Sequence, residues 1–161
     1  MNHYYEDSGF EQNPLNTPLA REQKAGGFRC SHCQRWVVIN PYIGTANRNH
    51  CNFCLWSRHV DVQKGDRLAV CRGGMEPIAL TFKHEGSARN GEIMLVHRCV
   101  SCEKISINRI ARDDSEPAIL HVFEQSQVLD EATQQSLTRQ GITILGTEDG
   151  DEVRRQLFGV Q

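Results

Sequence analysis

Between Phe28 and Asp114, apolar residues gather in short runs rich in β-branched types, each closed by glycine, aspartate or asparagine. "RWVVIN" (Arg35–Asn40), "RLAVC" (Arg67–Cys71), "PIALTF" (Pro77–Phe82), "GEIMLVHRC" (Gly91–Cys99) and "KISINRI" (Lys104–Ile110) have the length and composition of strands. "QKGD", "RGG" and "HEGSARNG" between them are turn signals. After "DDSEP" (Asp113–Pro117) the period changes. Leu120, Phe123, Val128, Leu129 and Ala132 recur at roughly helical spacing, over one helix or two. "GITILGT" returns to a strand pattern, and "EDGDEVRRQLF" predicts a helix with acids early and arginines late, as the macrodipole prefers.

Three segments follow from this pattern. Residues 1–27 are polar, contain Pro14 and Pro18, end in Gly26-Gly27, and predict a flexible leader. Residues 28–114 predict a small, loop-rich β domain. Residues 115–161 predict an acidic helix–strand–helix appendage whose simplest role is packing or partner contact.

The chain is 39% hydrophobic but only 7% aromatic, so its core is thin and a metal staple would help it fold. No run approaches the ~18 apolar residues of a membrane span. The first twenty residues lack the basic start and apolar stretch of a secretory signal, so the expected compartment is the cytoplasm, where thiols stay reduced. Seven cysteines, an odd number, also fit a closed disulfide framework poorly.

Cys30-Ser31-His32-Cys33 and Cys51-Asn52-Phe53-Cys54 lie seventeen residues apart, within the spacing of a four-cysteine zinc site. Each Cys-x-x-Cys turn aims two thiolates at one point, and two turns complete a tetrahedron about Zn2+. Four protein ligands leave no open position, so this ion would be structural. Four buried cysteines, or a thioredoxin-like redox pair, are the competing readings; a redox pair needs only one such turn, opening a helix. Cys71, Cys99 and Cys102 remain, and a second zinc would need a histidine as fourth ligand. His59, across the "QKGD" turn from Cys71, ranks first and His97 second, with His84 in a turn-rich stretch behind them. Two Zn2+ per chain are expected.

Several ordered motifs carry a resemblance. "RNHCNFCLWSRHVD" (Arg48–Asp61), "GDRLAVCRGGMEPI" (Gly65–Ile78), "HRCVSC" (His97–Cys102) and "NRIARDD" (Asn108–Asp114) together resemble the RNHCP domain family, named for an Arg-Asn-His-Cys-Pro run. The resemblance covers about residues 28–114 and implies a zinc-ribbon-like bacterial domain. Asn52 stands where that run has proline, a non-ligand position that asparagine tolerates.

Charge then bears on partners. The net −2 conceals −3 over residues 1–20, +6 over 21–72, balance over 73–114 and −5 over 115–161. Arg48, Asn49 and His50 before the second cysteine pair, with Arg35, Arg58 and Trp56, are candidate contacts to RNA or the ribosome: cations for phosphates, rings for unpaired bases. Trp36, Tyr42 and Phe53 could stack as well. The competing reading makes Arg48 and Arg109 internal braces, paired with Asp61, Asp66, Asp113 or Asp114. A protein-interaction module is one alternative function. A metal-dependent nuclease built on His50, His59 and those aspartates is another, without a recognised nuclease motif behind it.

Overall fold

The computed structural model describes residues 17–43, 45–63, 65–83 and 91–159. Residues 1–16 of the leader, Lys64 in the "QKGD" turn and 84–90 of "HEGSARNG", His84 included, lie outside the described residues.

Part of the segment read as a flexible leader is helical. In α1 (Pro18–Ala25), Thr17 accepts from the Ala20 N–H, Pro18 opens the first turn, and Gly26 at φ 80° closes the last. Gly27 then starts β1 (Gly27–Arg29), which pairs antiparallel with β2 (Trp36–Val38). A Cβ on Gly27 would lie 2.0 Å from the Val37 carbonyl oxygen, so only glycine permits this approach.

The larger sheet is antiparallel, in the order β3 (Ser57–Arg58), β4 (Gly74–Phe82), β5 (Ile93–Cys99) and β6 (Ile105–Arg109). Three of the five predicted strands supply β4 to β6, and "RWVVIN" supplies β2. "RLAVC" does not form a strand. Arg67 and Arg72 take φ of 54° and 55°, which breaks the extended run, although Ala69 and Arg72 still donate to the Val60 and His59 carbonyls across the turn. The register of β4 on β5 shifts between Pro77 and Ala79, beyond the end of the short β3, where a residue with no N–H costs little.

After Asp114 the chain forms α2 (Glu116–Ser126), α3 (Glu131–Arg139) and α4 (Gly150–Phe158), with Ser115 and Asp130 as side-chain caps of the first two. The strand expected over "GITILGT" is reduced to one bridge, Thr81 to Ile144. These helices share their core with the sheet. On one face Leu80, Ile93 and Leu95 pack with Leu55, with Ile119, Val122 and Phe123 of α2, and with Val153 of α4. On the other, Ala79 and Val96 meet Leu137 of α3, with Ile142 and Ile144 alongside. A third cluster of Phe28, Val37 and Ile39 surrounds Cys30 and Cys51.

Candidate metal centres

The two cysteine pairs form matching turns. Cys30 N–H donates to the Arg35 carbonyl and Gln34 N–H to that of Cys30; Cys51 repeats this with Trp56 and Leu55. Cys99 does the same with Lys104 and Glu103, so the chain contains three copies of one knuckle. Each requires a left-handed residue just after its second cysteine: Gln34 at 66°, Leu55 and Glu103 both at 65°. Glycine would ordinarily occupy these positions, so no sequence signal marks them.

Cys30, Cys33, Cys51 and Cys54 point their sulfurs at one another. Cys30 to Cys54 and Cys33 to Cys51 are each 3.6 Å, and all four Sγ lie within 4.8 Å. A disulfide would need ~2.05 Å, whereas a tetrahedron with ~2.3 Å zinc–sulfur arms has edges of ~3.8 Å. Backbone N–H groups of Cys33 and Phe53 donate to Cys30 and Cys51 Sγ. Burial opposes the Cys33 thiolate, but the Arg35 N–H and the neighbouring thiols outweigh it and hold its pKa below the ordinary thiol value. Burial and neighbouring sulfurs push Cys51 and Cys54 up. The set supports a first negative charge and resists the next, a balance that a divalent cation reverses.

The second cluster is His59, Cys71, Cys99 and Cys102, again with ligand atoms within 4.8 Å. Cys71 and Cys99 Sγ are 3.6 Å apart, and His59 Nδ1 lies 3.3 Å from Cys102 Sγ. Burial acts against the Cys99 thiolate, yet the Cys102 and Ser101 N–H groups, with His59 and Cys71, bring its pKa down to about 6. Gly73 leaves the room: a Cβ there would sit 2.8 Å from Cys99 Sγ. Both donor sets are thus compatible with zinc.

His97, the alternative ligand, lies elsewhere, fully buried. Its Nδ1 accepts from the Asn108 side-chain amide at 2.9 Å, which leaves the proton on Nε2 to donate to the Leu55 carbonyl at 2.7 Å. Burial, reinforced by nearby His50, pushes its pKa down to about 3. It is a neutral strut between the sheet and the second knuckle.

Arg48 is a brace. Its side chain is 1% exposed and all five N–H groups are used: two on Asp113, one on Asp114, one each on the His50 and Val38 carbonyls. Asp114, fully buried, also accepts from Ala111 N–H and lies 2.7 Å from His50 Nε2. Asn49 donates to Asp61, and Arg67, equally buried, grips Asp61 and Glu22. Glu22 of α1 receives Arg58 as well, in a bidentate pair, while the Arg58 guanidinium covers Phe28 at 3.7 Å. Arg109 pairs with Glu92 rather than with any of the expected aspartates. The role of Glu22 was not legible, because it lies in the presumed leader.

Of the predicted nucleic-acid contacts, Arg48, Asn49, His50 and Arg58 therefore already have partners within the chain. Arg35 and Trp56 are placed differently. Arg35 lies over the Phe53 ring at 4.8 Å, and Trp56 stacks on His32 at 4.0 Å, each pair bridging the first and second knuckles, with Trp36 44% and Phe53 41% exposed. The nuclease carboxylates Asp113 and Asp114 are committed to Arg48, His50 and backbone. Among the described residues, only the two cysteine-bearing clusters gather three or more metal-binding groups.

A profile for the RNHCP domain matches residues 25–120, which takes in both clusters and the brace. The chain belongs to the RNHCP domain family. No curated protein and no solved structure matches it. No helix among the described residues is long and apolar enough to cross a membrane.

Proposed function

We propose that this RNHCP protein is a cytoplasmic module holding two structural Zn2+ ions and binding single-stranded RNA, free or in the ribosome, through the outer surface of its first metal site. One observation carries the RNA reading: the two knuckles of this site present rings and a cation in contact, His32 on Trp56 and Arg35 over Phe53, with Trp36 also exposed on β2. Bases stack on such rings while arginines meet phosphates. Arg29, whose guanidinium spans the same turn to the Gln34 carbonyl, adds a second cation. Closed four-ligand coordination supports a structural role for the ions. Seven unpaired thiols support a reducing compartment.

The test is binding of a short fluorescent oligoribonucleotide as salt is varied. Binding should weaken steeply with salt, and the double variant Arg35→Glu, Phe53→Ala should abolish it while zinc content and melting temperature hold. Retained affinity in that variant would remove the proposed face.

A protein-interaction module is the second reading, favoured by the arm between His59 and Cys71. There Val62, Leu68 and Val70 are exposed, Val70 to 96%. A partner using that surface would be lost on Leu68→Asp, Val70→Asp and unaffected by Arg35→Glu.

A further inference from the structure

A cleft of about 700 Å3 lies away from the knuckle rings, between the larger sheet and the loops at 45–50 and 61–63. It belongs to neither metal cluster, although His59 reaches its wall. Its size suits one small molecule. We propose that this cleft binds a phosphorylated nucleoside, either free or as the terminal nucleotide of a strand.

Three features point to that chemistry. The first is charge. Lys104 before the start of β6, Arg109 at its end and Arg112 beyond it line the cleft, and among the described residues the side chains of Lys104 and Arg112 make no hydrogen bond or ion pair. The Arg109 pair with Glu92 is exposed and 3.1 Å long, so it is easily exchanged for a ligand anion. The cleft thus keeps positive charge at both ends of β6, while the other arginines that line it, Arg48 and Arg58, are already neutralised.

The second is the floor. Met75, Met94, Ile107 and Ile110 give apolar surface against which a flat ring can lie, and methionine adapts to such shapes.

The third is unmet hydrogen bonding. Asn49 donates its amide to Asp61, which fixes the orientation of the group and leaves Oδ1 buried with no donor. Arg58 uses both terminal nitrogens on Glu22 and leaves Nε buried with no acceptor. Both residues line the cleft. A buried polar group without a partner is costly. A nucleobase edge offers a donor beside an acceptor, an apolar face and an anionic tail, which together match cation, floor and orphan atoms. An inorganic anion would answer only the first feature, and an aliphatic acid only two.

The proposal stands apart from the knuckle as an RNA face, and one experiment separates them. Full-length protein is titrated with the four ribonucleoside monophosphates, with inorganic phosphate, and with a 5′-phosphorylated pentaribonucleotide, by calorimetry and amide chemical shifts. At least one monophosphate should bind and shift the amides of residues 104–112 and 45–50. Lys104→Glu, Arg112→Glu should weaken it about ten-fold or more, with zinc content unchanged. Arg35→Glu should not affect it. Tighter binding of the pentanucleotide, still lost in the cleft variant, assigns the pocket to a strand end; equal binding assigns it to free nucleotide, and either supports the proposal. No binding of any monophosphate, phosphate binding as well as the nucleotides, or affinity indifferent to the cleft variant would each overturn it, whatever the outcome at the knuckle.

Discussion

The two metal clusters are built from the same turn but occupy different surroundings. In the first, both arms are knuckles; Cys30 and Cys51 are buried with Phe28, Val37 and Ile39 around them, and the Arg48 brace begins three residues before Cys51. In the second, a single knuckle faces an irregular arm, Cys102 is exposed, and His59 and Cys71 are half-buried. A ligand inside an apolar cluster leaves its site only if the cluster opens, whereas one at the rim can exchange from solvent. The first ion should therefore be part of the fold, and the second a local clasp joining β5 to the 59–73 arm.

The largest expected effect comes from attacking the first site. Cys51→Ser leaves three ligands in a cluster with little other apolar surface. Structural zinc contributes roughly 10–16 kcal/mol in small modules, more than a thin core has to spare. We expect loss of the native amide spectrum over residues 27–58 and fewer than two zinc per chain by mass spectrometry. Cys102→Ser should lower the zinc count to one and leave the spectrum of residues 27–58 native. Chelator titration of the unaltered protein should show two phases, with amides near Cys99 and Cys102 responding first. A single phase would erase the distinction between the sites.

Next in size is the brace that ties the second knuckle to the segment after β6. Removing one partner of a buried ion pair costs about 3–5 kcal/mol, because the remaining charge is stranded. Arg48→Met strands Asp114, which is fully buried, and should destabilise the protein by about that much. Arg58→Met should cost less, since Glu22 keeps Arg67 and the pair is about one-fifth exposed. Urea denaturation with zinc in excess measures both. The pH dependence has a definite sign. Burial raises Asp113, but the hydrogen bond and charge of Arg48 outweigh it and hold its carboxyl below the usual range. A depressed folded-state pKa contributes stability above the ordinary aspartate value near ~4 that is lost as pH falls further. Arg48→Met should flatten that part of the acid profile, a difference that zinc loss common to both proteins cannot produce.

What could be read from the sequence divides by the range of the interactions. The gathering of Cys30, Cys33, Cys51 and Cys54 was legible from their spacing, and that of His59 with Cys71 from the "QKGD" turn between them. His97 was a contender by proximity in sequence, and only its burial against Leu55 and Asn108 removes it. The choice between RNA contact and brace for Arg48 was not legible, since Asp113 and Asp114 lie sixty-five and sixty-six residues away. The C-terminal helices could be drawn, but not their place on both faces of the sheet, because that depends on which side of β4 and β5 each apolar residue occupies. Helix α1 was hidden by its own caps, Pro18 and Gly26, which read equally as marks of a loose leader.

The smallest prediction concerns the αL residues that all three knuckles share. A side chain with a Cβ pays strain at φ near +65°, and glycine does not. Gln34 and Glu103 are exposed and occupy matching positions after the first and third knuckles, whereas Leu55 after the second belongs to the core. Replacing Gln34 by glycine relieves that strain but also loosens the unfolded chain, and where φ is positive the first effect wins by up to about 1 kcal/mol. It removes one hydrogen bond as well, from the Gln34 amide to the Ser31 carbonyl, which is exposed and worth little. Gln34→Gly should therefore raise the melting temperature slightly, and Glu103→Gly should do so only while the second site holds metal. Leu55→Gly should lower it, because the loss of a fully buried side chain from the core exceeds any relief of the backbone. If Glu103→Gly stabilises the metal-free protein as much as the loaded one, the third knuckle keeps its turn without metal, and the second site is no more a clasp than the first.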